Sequence, residues 1–205
     1  MNYLAHLHLA DHTHTSPLGN LLGDFVKGPL AGDLSPELRL GIRLHRTIDG
    51  FTDNHPEHRA AVASLSPPWR RYGPILIDML YDHWLSRHWP RFAADPLPAF
   101  LTRHYRALLT VRPHHPGHLP AGLPLPLRHM AEQGWLESYA EWEGTARALD
   151  GIGRRLRRPL PLGEGVRDLS LPHRGEMEQG FLRFYPDLMA FALGEAKRLK
   201  REEAG

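Results

Sequence analysis

In one stretch of the chain, Leu38, Ile42, His45 and Asp49 fall at i, i+4, i+7 and i+11. On a helix, an imidazole and a carboxylate would therefore continue the stripe that the apolar residues turn inward. Groups four apart on a helix stand about 5–6 Å apart at Cβ, close enough for an imidazole nitrogen and a carboxylate oxygen to hold one divalent ion. A second stretch repeats the pattern. Ile75, Asp78, Met79, Asp82 and Ser86 share a face, with His83 one position round beside Leu76 and Leu80. A third carboxylate, Asp24, sits between Leu21-Leu22-Gly23 and Phe25-Val26. Removing a carboxylate from water costs several kcal/mol, so such groups are rarely buried without a partner or a metal. A single His–Asp pair is equally a structural ion pair, but three helices with ligand types on buried faces favour a shared metal site. Mixed histidine and carboxylate ligands suit manganese, iron or magnesium-like chemistry.

Other polar residues lie near these ligands. His6 and His8 in NYLAHLHLA are either groups around the metal and its substrate or satisfied residues of a helix start. Arg46 and Arg87, close in sequence to the proposed ligands, would steer a phosphate oxygen by bidentate contact, or are plain surface arginines. His114, His115 and His118 fall in a Pro-rich loop and read as solvated composition, and Trp69, Trp84 and Trp89 read as core.

Helices must position these groups. Ser16-Pro17 and Ser35-Pro36 each set a capping hydroxyl before a proline, predicting helix starts there. The first helix is expected from Pro17 to about Lys27 and the second from Pro36 to about Asp53. A short segment follows from Pro56 to Leu65, and GPILIDMLYDHWLSRHW, residues 73–89, has the length and apolar density of a buried helix. Residues Leu97 to Val111 read as an amphipathic helix and Arg112 to Pro126 as a loop. One or two helices over Leu127 to Ile152 are interrupted near Gly134, and Pro159 to Pro172 reads as a loop. Glu176 to Arg201 forms a terminal pair or one helix kinked at Pro186. No convincing alternating strand is present, so the fold class is all-α, a single helical domain over residues 1–205.

Composition narrows the chemistry further. The 205 residues carry 25 Lys and Arg against 23 Asp and Glu, a net charge of +2 that does not suggest bulk nucleic-acid binding. With no cysteine there is no thiolate nucleophile and no Cys-ligated zinc or iron–sulfur cluster. No apolar run is long enough for a membrane span and no secretory signal pattern opens the chain, so a cytoplasmic protein is expected.

The segments MNYLAHLHLA, GNLLGDFVKG, GIRLHRTIDGFTDNHP and LYDHWLSRHW resemble, in order and spacing, the acyl carrier protein phosphodiesterase family. The likeness is close over the first 90 residues, and FLRFYPDLMAFA extends it near the C-terminus. It implies a fold similar to the all-α HD phosphohydrolases. The implied activity is hydrolysis of holo acyl carrier protein to the apo form, releasing 4'-phosphopantetheine with a divalent cation of the manganese type. The family's metal and catalytic positions correspond to Asp24, His45, Asp49 and Asp82, with His83. A His-Asp dipeptide is missing and Asp82-His83 runs the other way, which leaves open whether His6, His8 or Asp78 joins the site.

On that reading Asp24, His45, Asp49 and Asp82 hold the metal, with Asp24 also taking part in catalysis. His83 or His6 protonates the leaving group, and Arg46 or Arg87 offsets charge on the phosphoryl oxygens. An acidic carrier protein also requires a basic docking face, for which Arg154, Arg155, Arg157 and Arg158, or Arg39 and Arg43, are candidates. Two other readings remain. One is an HD-like phosphohydrolase acting on a nucleotide or other small phosphate ester. The other is a catalytically inert helical protein whose buried ions are structural.

Overall fold

In the computed structural model, which describes residues 1–30, 34–111 and 122–204, the chain is built from helices and the described residues contain no strand. In chain order they are α1 Tyr3–His12, α2 Pro17–Leu22, α3 Pro36–Asn54, α4 Pro56–Ser64 and α5 Gly73–Arg87. These are followed by α6 Leu97–Leu109, α7 Leu125–Gln133, α8 Trp142–Arg154, α9 Glu164–Arg167 and α10 Leu171–Ala204. The all-α expectation holds. None of the described helices is long and apolar enough to cross a membrane.

The serine–proline starts act as the sequence predicts. Ser16 Oγ accepts from the Gly19 N–H at 3.0 Å and Ser35 Oγ from the Leu38 N–H at 3.3 Å, while Pro17 and Pro36 occupy positions where no N–H is needed. The first of these helices is shorter than expected. It ends at Leu22, and residues 23–25 form a turn that lifts Asp24 out of the helix. Two glycines make this region possible: a Cβ on Gly41 would lie 2.7 Å from Gly19 Cα, so α2 and α3 touch backbone to backbone.

α1 runs through the interior, with every residue from Leu4 to Ala10 buried. Its first turn has no side-chain cap of its own. The buried Asp82 carboxylate of α5 fills that role, accepting from the Leu4 N–H at 2.9 Å and the Ala5 N–H at 3.0 Å. Around α1 one cluster of buried side chains runs from Met1 to Leu199. Tyr81 and Trp84 of α5 pack with Phe181, Phe184 and Tyr185 of α10, with the Tyr81 and Phe184 rings 4.9 Å apart.

α10 is a single helix that carries Pro186 within it, in place of a pair. Gly134 does break the 127–152 region. Its φ of 63° ends α7 in the left-handed conformation, and a 3-10 turn at Trp135–Ala140 leads into α8. The loop expected over residues 159–172 contains the short helix α9. Most of the loop expected over Arg112 to Pro126, with His114, His115 and His118, lies outside the described residues, and its last two residues begin α7.

Candidate metal centre

α1 and α3 cross so that the His6 and His45 rings stack with centroids 4.0 Å apart. Asp49, one turn beyond His45, reaches between them: its Oδ1 is 3.2 Å from His6 Nε2 and its Oδ2 is 3.0 Å from His45 Nε2. A donor atom from each of the three lies within 4.8 Å of the others, the spacing one ion requires. Gly23 seals this arrangement from the α2 side, because a Cβ there would fall 2.1 Å from the His45 ring.

The electrostatics favour ligation. Burial pushes the His6 imidazole down to about 4, aided by neighbouring His45, so at neutral pH it carries a free lone pair. Neither His6 nitrogen has a hydrogen-bond partner of acceptable geometry, nor does His45 Nδ1. Buried nitrogens left this way are costly unless something else engages them. Burial opposes the charge on Asp49, yet its contacts with His45 and His6 and the nearby Met1 ammonium hold its carboxyl well below the usual range. The donor set therefore fits a divalent ion: two imidazoles and an ionised carboxylate.

Asp24 stands at the rim, 45% exposed, with Oδ1 3.7 Å from His45 Nε2. On the opposite side the buried Met1 ammonium bridges Asp49 at 3.3 Å and Asp78 at 3.1 Å. Burial works against this ammonium, but the two carboxylates raise it to about 11. Asp78 Oδ1 also lies 3.6 Å from Nε2 of the buried His58. Asp78 is thus linked to the centre through the Met1 ammonium.

Other expected site residues are committed elsewhere. Asp82, read from the sequence as a metal ligand, spends both carboxylate oxygens on the first turn of α1 and is not part of the converging donor set. His83, read as a general acid, places Nδ1 2.7 Å from the Tyr139 carbonyl and packs edge-on to Trp142, and burial lowers its pKa. His8 is satisfied at both nitrogens, by the Tyr185 hydroxyl at 2.8 Å and the Phe92 carbonyl at 3.0 Å. Arg46 donates to the Val26 carbonyl at 2.8 Å, while Arg87 is exposed at the end of α5, near enough to His83 to disfavour its charged form. Arg39 and Arg43, the other docking candidates, pair with Glu203 and Glu202 of α10.

Periodicity does not single out His6. With every residue from Leu4 to Ala10 buried, α1 has no polar face against which periodicity can be read. The available signal was a histidine in a helix buried all round, which must find a partner or a ligand.

An all-α protein with a buried His-His-carboxylate centre is thus defined by the fold and the site. Comparison with known proteins is specific: the family model described as acyl carrier protein phosphodiesterase matches residues 1–188. Proteins named acyl carrier protein phosphodiesterase are similar along nearly the whole chain. That of Klebsiella pneumoniae subsp. pneumoniae is 38% identical over 193 residues, covering 94% of this chain and 97% of its own. The Salmonella dublin protein is 39% identical over 197 residues, covering 96% and 100%, and the Yersinia pestis protein 39% over 190, covering 92% and 96%. No solved structure matches. The chain belongs to the acyl carrier protein phosphodiesterase family.

Proposed function

We propose that this protein hydrolyses the phosphodiester that joins 4'-phosphopantetheine to a serine of holo acyl carrier protein, acting as one helical domain with a divalent ion, manganese in this reading. The observation that carries the proposal is the convergence of His6, His45 and Asp49, with buried nitrogens lacking partners, in a chain of this family. These three would hold the ion, with Asp24 completing the set from the rim. When bound, such an ion supplies Lewis acidity toward a phosphoryl oxygen and lowers the pKa of water.

The chain's own residues supply the remainder. Asp24 is the carboxylate of the group most open to solvent, which suits it to accept a proton from the attacking water. His6 and His45 offer ring nitrogens in this role, and Asp49 keeps its charge because both rings contact it. Attack by water forms a new P–O bond and breaks the bond to the serine oxygen, which takes up, by way of solvent, the proton that Asp24 accepted. The products are apo carrier protein and free 4'-phosphopantetheine. The bonds of His83 to Tyr139 and of Asp82 to α1 argue for positioning duties in place of proton transfer and ligation.

Mass spectrometry of holo acyl carrier protein incubated with the purified protein tests this directly. Loss of the phosphopantetheine mass with manganese, and its retention with chelator, is expected. Retention in both tubes with a competent carrier would overturn the proposed substrate, and a panel of nucleotides and small phosphate esters would then identify the one used.

A further inference from the structure

We propose that the cleft between the 3-10 turn Trp135–Ala140 and α8 is the subsite that receives the 4'-phosphopantetheine arm, its arginines engaging the anionic and amide oxygens of the arm and its aromatic wall the apolar carbons. The inference rests on the function proposed above and adds to it a place for the substrate's prosthetic group.

The cleft has a volume of about 450 Å3, within the usual range for a small-molecule site. Its lining includes Tyr3, Trp135 and Ile152 as well as Arg147, Arg154 and Arg155. Its space has an origin in the sequence of α8. Gly144, Ala148 and Gly151 recur at i, i+4 and i+7, so small residues of α8 border the cleft between its arginines. Gly144 is needed for a second reason: a Cβ there would lie 1.8 Å from the Ser138 carbonyl oxygen, so α8 and the 3-10 turn meet along their backbones.

The charge is as informative as the shape. Arg39, Arg43, Arg103, Arg167, Arg183 and Arg198 each have a carboxylate partner within 4.0 Å. Among the described residues Arg147, Arg154 and Arg155 have none, although all three are exposed and gathered on one opening. Guanidinium groups without a protein carboxylate are available to a phosphate or carbonyl oxygen.

The cleft reaches the start of α1, the helix that carries His6. Asn2 and Tyr3 form part of its wall, and the His6 N–H bonds back to the Asn2 carbonyl at 3.2 Å, so the wall is one helical turn from a ligand. Burial raises the Tyr3 hydroxyl to about 12, with Asp24 adding to the shift and Arg155 opposing it. In this proposal an arm whose phosphorus sits beside Asp24 runs past Tyr3, which lines the cleft.

The test is calorimetric titration of free 4'-phosphopantetheine into the full chain, alongside Arg147→Glu/Arg155→Glu and, separately, Gly151→Trp. Each variant is first checked for a native melting transition. The exposed arginines carry no structural bond here, and Gly151 has open space apart from the mobile end of Arg154. Binding is expected to weaken at least about tenfold in both, through lost charge-assisted hydrogen bonds in one and lost space in the other. Gly151→Trp leaves the charge unchanged, which separates the cleft from general attraction of an anion to a basic surface. No binding to the unaltered protein, or equal binding in both variants, would overturn the subsite. The function proposed above fails by a different result, retention of the arm on holo carrier protein by the unaltered enzyme.

Discussion

Gly23 and His45 are in such close contact that a single methyl group at position 23 would occupy the imidazole's space, 2.1 Å from the ring. The φ of Gly23 is −54°, so the backbone does not require glycine here. The ring does. Gly23→Ala is therefore expected to push His45 away from Asp49 while the helices persist, with a stability cost of about 1–3 kcal/mol, typical of overpacking. Manganese titration should show affinity reduced by at least about tenfold, since small displacements of a ligand are costly at a metal centre. Unchanged affinity in a folded variant would mean that His45 is not a ligand in this position.

The three converging residues should be separable from those committed elsewhere. His6→Ala, His45→Ala and Asp49→Asn are each expected to lower metal affinity by more than about a hundredfold, exceeding what loss of an outer-shell partner costs. Asp24→Asn should cost less affinity and more turnover, because Asp24 stands at the rim and its oxygen is 3.7 Å from His45 Nε2. His8→Asn should leave metal affinity intact and lower the melting temperature, since both of its nitrogens bond to the core. Calorimetric manganese titration with parallel thermal melts checks all five, with turnover of holo acyl carrier protein measured for Asp24→Asn.

These contrasts show what the sequence could convey. The helix starts at Pro17 and Pro36 were legible because serine and proline act locally, and the inward stripe through His45 and Asp49 was legible because α3 has one buried and one solvated face. The end of α2 was not: the chain turns out of the helix at residues 23–25, and Gly23 there packs against a ring 22 residues further along the chain. Asp82 was visible as a buried carboxylate but not as the cap of α1, since the bonds span 78 and 77 residues. Both it and His83 interrupt an apolar helix, and periodicity alone cannot tell a helix cap from a metal ligand.

Arg157 and Arg158 follow α8, are exposed, and with Arg71 line a groove apart from the arm cleft. No carboxylate among the described residues lies within 4 Å of either, so their field is open to an acidic partner. Reversal in Arg157→Glu/Arg158→Glu is expected to raise KM for holo acyl carrier protein by about tenfold at low salt, with the difference shrinking as ionic strength rises and the Debye length shortens to about 8 Å. The kinetics would be measured over a salt series. A salt-independent effect, or none, would remove this pair from docking.

Asp82 should leave a signature in the pH dependence of stability. Burial raises its carboxyl from the usual 3.8 to about 7, against the opposing bonds from the Leu4 and Ala5 N–H groups. Between those two values the folded protein binds more protons at this residue than the unfolded chain does, so its contribution to stability falls as pH rises from about 4 to about 7. Buried His6 and His8, both lowered to about 4, act in the opposite direction: the folded state binds fewer protons there, and stability rises with pH up to about 6.5. The two contributions oppose each other, so the difference between two proteins isolates that of Asp82. Asp82→Asn keeps one carbonyl to accept from α1 and cannot ionise, so it should be less stable than the unaltered chain at pH 4 and lose that deficit progressively toward pH 7. Denaturant midpoints of both proteins across this range measure it. Parallel curves would show that the carboxyl is ionised throughout, in which case the two backbone bonds outweigh burial.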